Sequence, residues 1–226
     1  AEKMLRILRD ALGGTLSSLH ALDIGCSTGS MCAVLGEHFD RVTGIDIDRP
    51  AIEHASTKYG SERIRFRVGD AMQTGLDPDS IDVAICAHVY EHVAEPYLMM
   101  AEIRRILRPG GVCYFAAENR LVFREGDYRL PLLSVMPKWM AHRYIRLAGK
   151  ADSYYETLFT YSQLVRLTAD FECLDYTRRV IEDPEAYAAT DMIPPGSFRQ
   201  KVASTIVRHA YWLFPDYLWV LRKPVA

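Results

Sequence analysis

The chain has 226 residues, 49% hydrophobic and 25% charged, with a formal net charge of −2. That is enough apolar material for the full core of one domain spanning 1–226, and the near-neutral balance gives no electrostatic case for a nucleic-acid partner. The longest apolar stretch, Ala210 to Leu221, is broken by Pro215 and Asp216 and is too short to cross a bilayer.

Residues 2–13 carry Met4, Leu5, Leu8 and Leu12 at helical spacing, and Gly13-Gly14 ends the pattern. The chain opens at Ala1 inside this helix, which leaves room for residues upstream. An apolar run from Leu19 to Ile24 then predicts a strand over 19–25. It passes into Gly25-Cys26-Ser27-Thr28-Gly29-Ser30 and a helix over 29–38. Gly25 and Gly29 let a ligand approach the backbone closely, and the N–H groups that open the next helix face it. This is a loop of nucleotide-binding type at the carboxyl end of a first strand.

A second strand over 41–47 ends in Asp46, 23 residues after Asp23. A carboxylate about 20 residues beyond a glycine loop suits the hydroxyls of a ribose. Asp48 is placed to cap a helix over 50–59 that starts near Pro50. A third strand over 63–69 leads to Asp70, Ala71 and Met72, where the edge of an adenine would lie. A fourth strand, 80–87, runs through Ala87 into His88, Glu91 and His92, with Asp82 at its far, structural end. A helix over 95–107 is followed by Arg108-Pro109-Gly110-Gly111 and a fifth strand over 111–118. Near-continuous apolar strands alternating with helices predict an α/β fold, a parallel sheet covered on both faces, with ligands at the carboxyl ends of the strands.

The alternation then stops. Residues 119–161 hold 8 aromatic residues in 43 positions, a richer share than the 11% of the whole chain. Within them Lys138, His142, Arg146 and Lys150 recur every four residues, which on a helix makes one basic stripe beside apolar surface. The expectation is an amphipathic covering helix, with peripheral membrane contact through 130–150 as the other reading. A helix over 161–169, a strand over 171–180, a helix over 197–213 and a last strand over 216–222 complete the chain.

Glycine loop, Asp46, Asp70 and the Arg105-Ile106-Leu107-Arg108-Pro109-Gly110-Gly111 segment together resemble the class I S-adenosylmethionine (SAM)-dependent methyltransferases. The likeness is to the small-molecule group that includes ubiquinone-biosynthesis enzymes, and it covers about residues 19–118. It implies a Rossmann-like seven-stranded, mostly parallel sheet with an antiparallel last strand and a lid insertion after the fifth. It also implies SAM as cofactor and S-adenosylhomocysteine (SAH) as product. The cofactor site it implies comprises Asp23, Gly25, Cys26, Ser27, Gly29, Asp46, Ile47, Asp70, Ala71, Met72, Ala87 and His88. The family usually has glycine where Ser27 stands, an exchange compatible with a negative φ at that residue.

His88 and Glu91 are the candidates to touch a methyl acceptor, with His88 a possible proton acceptor. Glu118-Asn119-Arg120 borders the same place. The His88-x-x-Glu91-His92 spacing resembles a zinc motif but offers no third ligand, so no metal is assigned. A dehydrogenase would favour Gly-x-Gly-x-x-Gly over this loop, and no Asn/Asp-Pro-Pro-Tyr motif of base-modifying enzymes follows the fourth strand. The expected function is methylation of a small molecule, such as a lipid or glycan precursor. The alternative is a non-catalytic SAM-binding or scaffold protein. Five cysteines without a Cys-x-x-Cys pair read as buried free thiols, and with no secretory leader visible they suggest a cytoplasmic protein.

Overall fold

Seven strands form one sheet in the order β3-β2-β1-β4-β5-β7-β6 in the computed structural model, which describes residues 1–225. The strands are β1 (His20–Ile24), β2 (Arg41–Asp46), β3 (Ile64–Val68), β4 (Ile81–Ala87), β5 (Leu107–Glu118), β6 (Glu172–Asp175) and β7 (Asp216–Arg222). β1 to β5 pair in parallel, and β7 lies antiparallel between β5 and β6. The Rossmann-like sheet expected from the sequence is present, antiparallel β7 included.

The helices are α1 (Glu2–Leu12), α2 (Ser30–Gly36), α3 (Arg49–Tyr59), α4 (Pro96–Ile106), α5 (Lys138–Leu147), α6 (Tyr161–Leu167), α7 (Tyr176–Glu182) and α8 (Phe198–His209). Successive side chains of a strand point to opposite faces, and the central strands use both. On β5, Val112, Tyr114 and Ala116 join the core beneath α1, α2 and α7. Cys113, Phe115 and Ala117 join the core beneath α4 and α6. This two-sided burial explains the near-continuous apolar strands.

Local chemistry sets the helix starts. The Asp48 side chain accepts from Ala51 N–H and Pro50 stands in the first turn of α3, as the sequence indicates. Thr160 and Gln163 form a capping box on α6. The expected strand over 171–180 is corrected at Asp175, whose carboxylate accepts from Thr177 N–H at 3.0 Å. That cap starts α7, which buries Tyr176, Val180 and Ile181 on one side. The helix expected over 197–213 stops at His209, and Tyr211–Leu213 form a separate 3-10 turn. Asp82 is structural, accepting from His20 N–H at 2.7 Å and pairing with Arg108 at 2.8 Å. Cys26, Cys32, Cys86 and Cys113 are buried free thiols, whereas Cys173 is exposed, contrary to expectation.

Residues 119–160 build a small core of their own from Leu133, Ala141, Ile145, Tyr154 and Leu158. Thr157 N–H donates to the Glu91 carbonyl at 2.9 Å and ties this insertion to the end of β4. Two members of the expected basic stripe also hold the segment that follows the helix. Lys138, though exposed, bonds through its Nζ the carbonyls of Tyr155 at 3.2 Å and of Glu156, and lies over the Tyr154 ring. His142 Nδ1 accepts from Tyr154 N–H. Lys138, Arg146 and Lys150 are all exposed and His142 is half-buried. Among the described residues, no helix is long and apolar enough to cross a membrane.

Candidate active site

The strand order reverses between β1 and β4, and in such sheets the crevice at that switch point takes the ligand. A cavity of about 500 Å³ lies there. Its wall includes Gly25, Asp46, Ile47, Asp70, Ala71, Met72 and His88, all named from the sequence. Val89, Val93 and Ala94 complete one side. Sequence reasoning passed over them, although they share the segment after β4 with His88.

The glycine loop is held by β2, since Gly25 and Cys26 N–H both donate to the Ile45 carbonyl, at 2.9 and 3.0 Å. Gly29 takes φ +79°, and a Cβ there would come within 2.7 Å of the Phe66 ring and 2.8 Å of Ala55. Ser27 is a correction. Its φ is +47°, in the left-handed region, not negative. That conformation costs a non-glycine residue roughly 1–2 kcal/mol. Ser27 N–H donates to Asp46 Oδ2 at 2.8 Å, and a hydrogen bond to a charged group contributes about 1.5–3 kcal/mol. The bond outweighs the strain, and the left-handed turn is what aims the amide.

Asp46 is therefore fixed from two sides, with Asp48 N–H donating to Oδ1 at 2.9 Å. Asp70 is fixed by Met72 N–H at 2.8 Å to its Oδ1. Asp23 lies beneath the loop, only 5% exposed, and accepts from the Cys32 thiol at 3.3 Å. Burial pushes its carboxyl up to about 7 against that hydrogen bond, and the Asp46 charge adds to the rise. Asp23, Cys26, Ser27, Gly29 and Ala87 do not line the cavity; they shape its floor and loop.

His88 joins this cavity to a second one of about 240 Å³, lined also by Glu91, Glu118, Glu125, Asp127 and Leu158. Its own φ is +55°. Nδ1 lies 3.6 Å from Glu91 Oε1, and Nε2 lies 3.9 Å from Asp216 Oδ2. The Glu91 carboxylate, opposed by burial and helped by Asp216 and Glu118, raises the His88 pKa to about 9. Burial pushes Glu118 up to about 7 and Asp216 up to about 6. His88 is thus a cation at neutral pH, set among three carboxyl groups.

Asp216 was missed as a site residue. The signal was in the chain, because an antiparallel last strand starts at the end where the parallel strands finish. Asp216 indeed pairs with Glu118. Beside the His88-Glu91-His92 run the fold gathers side chains from distant segments. His92 Nε2 lies 3.7 Å from Asp127, and Glu156 joins them, the three ligand atoms all within 4.8 Å of one another. This grouping shares only His92 with the His88-x-x-Glu91-His92 run.

Residues 22–115 match the methyltransferase domain family. A ubiquinone biosynthesis O-methyltransferase of Coxiella burnetii is 30% identical over 108 residues, 47% of this chain and 46% of that protein. The chain thus spans about half the length of the curated relatives it matches. An S-adenosylmethionine-dependent methyltransferase from Mesorhizobium loti shares the fold at a TM-score of 0.62 and 18% identity, over 96% of this chain and 95% of that one. The cyclase SpnF shares it at 0.60 and 21% identity, over 100% of this chain and 82% of that one. Residues 22–115 thus carry a methyltransferase-type domain, set in a fold shared with SAM-dependent methyltransferases over nearly the whole chain.

Proposed function

We propose that this protein transfers the methyl group of SAM to an oxygen atom of a small molecule held beside His88. The observation that carries this reading is the position of His88. It walls both the large cavity at the β1/β4 switch point and the smaller cavity under the insertion. A fold shared with a cyclase does not by itself imply methyl transfer, so the reading rests on that site.

The large cavity suits the cofactor. Asp46, already oriented by two backbone amides, accepts hydrogen bonds from ribose hydroxyls. Gly25, Ser27 and Gly29 shape the loop so that the ligand meets backbone rather than side chains. Cys26, Asp23 and Ala87 support that loop from below and from β4. Ile47, Ala71 and Met72 offer apolar walls to a flat base, and Asp70 accepts from its amine. SAM brings an electrophilic methyl carbon on a positive sulfur, with a neutral thioether as leaving group.

With so good a leaving group, the protein supplies proximity, alignment and dryness. The insertion 119–161 serves as the cover of the acceptor cavity and excludes water there. Protonated His88, held by Glu91 and Asp216, donates an N–H to the acceptor oxygen and stabilises the oxyanion that forms when that oxygen gives up its own proton, before it attacks the methyl carbon. The proton leaves to a carboxylate, and Glu118 or Asp216, with pKa values near 7 and 6, are matched to that task at neutral pH. This assigns His88 a different part from the neutral base expected of an unperturbed imidazole.

Methyl-labelled SAM offered with a panel of phenols, hydroxylated lipids and sugar derivatives tests the reading. The expected result is transfer whose kcat/KM rises with pH through about 6 to 7, as the carboxyl ionises, and falls above about 9, as His88 loses its proton. A chain that binds SAM but methylates none of these acceptors leaves the non-catalytic, scaffold reading in its place.

A further inference from the structure

We propose that His92, Asp127 and Glu156 form a binding site for one divalent first-row transition-metal ion at the rim of the acceptor cavity. The three residues come from three segments. His92 closes the 3-10 turn Tyr90–His92 after β4, Asp127 lies in the turn following β5, and Glu156 lies in the extended run before α6. The fold brings their ligand atoms within 4.8 Å of one another. Donors at roughly 2.0–2.2 Å from one ion sit no more than about 4.4 Å apart. Small movements of the exposed His92 and Asp127 side chains complete that spacing.

Glu156 is what separates this cluster from an ordinary surface ion pair. It is 8% exposed, and its Oε2 is buried without a hydrogen-bond partner. Burying a carboxylate oxygen in that state is costly unless something positive meets it. Lys138 does not meet it, because its ammonium is engaged by the carbonyls of Tyr155 and Glu156.

The support around the ligands is already built. The Tyr128 hydroxyl donates to Glu156 Oε1 at 2.9 Å and orients the carboxylate. The Glu125 carboxylate accepts from Asp127 N–H at 3.2 Å and Tyr128 N–H at 2.8 Å, which fixes the turn. Such outer contacts are what hold metal ligands in place. Charge points the same way. Glu91, Glu118, Glu125 and Asp127 line the small cavity, and His88 is the one basic side chain among its lining residues. One imidazole with two carboxylates combines a donor favoured by zinc and iron with donors favoured by manganese and magnesium. That mixed set selects Mn²⁺ or Zn²⁺ over Ca²⁺. Three protein ligands leave further positions open, and in this cavity an oxygen-rich acceptor would fill them. That last role rests on the methyl-transfer reading; the site itself does not.

Titration of the full chain with Mn²⁺ after chelator treatment, followed by the electron paramagnetic resonance of the free ion and without SAM, tests the site. One ion per chain is expected. Its affinity should fall roughly tenfold or more in Glu156→Gln and again in Asp127→Asn, both with thermal midpoints near that of the unsubstituted chain. Asp127 is exposed, so its variant keeps the test open should Glu156→Gln fail to fold. No Mn²⁺ bound, or Asp127→Asn binding as the unsubstituted chain does, overturns the proposal. SAH titration of the unsubstituted chain reports separately on the cofactor reading.

Discussion

Replacing either carboxylate beside His88 should lower the pH at which its imidazole loses a proton, and by different amounts. Asp216 Oδ2 stands 3.9 Å from Nε2, and the two side chains are 38% and 49% exposed. A pair of unit charges about 4 Å apart is worth about 1 kcal/mol in water and about 4 kcal/mol at an effective dielectric of about 20. Exposure on both sides places this pair near the screened limit, about 1 kcal/mol or less. One pKa unit corresponds to about 1.4 kcal/mol, so Asp216→Asn should lower the midpoint by roughly 0.7 unit. Glu91 is closer, at 3.6 Å, and its side chain is only 7% exposed. Glu91→Gln should therefore lower the midpoint further than Asp216→Asn does. Imidazole proton resonances, followed across pH and assigned with His88→Gln, give both numbers directly. A midpoint that stays near 9 in both variants, or a larger fall in Asp216→Asn, would refute the pairing.

Gly29→Ala should destabilise the fold and weaken SAH binding together. Its Cβ would meet the Phe66 ring and Ala55 below 3 Å at φ +79°, and overpacking alone costs about 1–3 kcal/mol. An unchanged thermal midpoint would contradict the close approach. Stability should also fall as pH rises from about 6.5 to 9. The folded pKa of His88, about 9, exceeds the ordinary imidazole value of 6.5, so its contribution is complete below 6.5 and lost through 9. Glu118 and Asp23, each raised to about 7 by burial, act in the same direction just below that window. Thermal midpoints measured across this range check the sign, and a rise toward pH 9 would refute it.

The first 118 residues were legible because their signals are local. An apolar run, a glycine turn and an acid at a strand end each report on a few neighbouring residues. Gly25, Asp46, Asp70 and His88 come to one cavity because parallel strands deliver their carboxyl ends to one edge. The misread elements lie where local pattern competes with capping. Residues 171–180 are apolar enough for a strand, but the Asp175 carboxylate starts a helix there. The φ of Ser27 was illegible because the hydrogen bond that sustains it goes to Asp46, 19 residues away. The His92, Asp127 and Glu156 cluster was illegible for the same reason, since its members meet only after the insertion has folded back on the end of β4. The periodicity of Lys138, His142, Arg146 and Lys150 was real, yet a four-residue spacing does not say which members also bond a neighbouring segment, as Lys138 and His142 do.

The most direct measurement is calorimetric titration of the chain and of Asp46→Ala with SAH. Micromolar binding is expected for the unsubstituted chain. Losing two hydrogen bonds to a charged acceptor, about 1.5–3 kcal/mol each, predicts a loss of at least roughly 100-fold in the variant. The variant also loses the Ser27 and Asp48 amide bonds, so its thermal midpoint should fall, and the titration is made well below that midpoint, where circular dichroism shows it folded. No SAH binding by the folded chain, or equal binding by Asp46→Ala, would contradict the placing of the cofactor at the β1/β4 switch point.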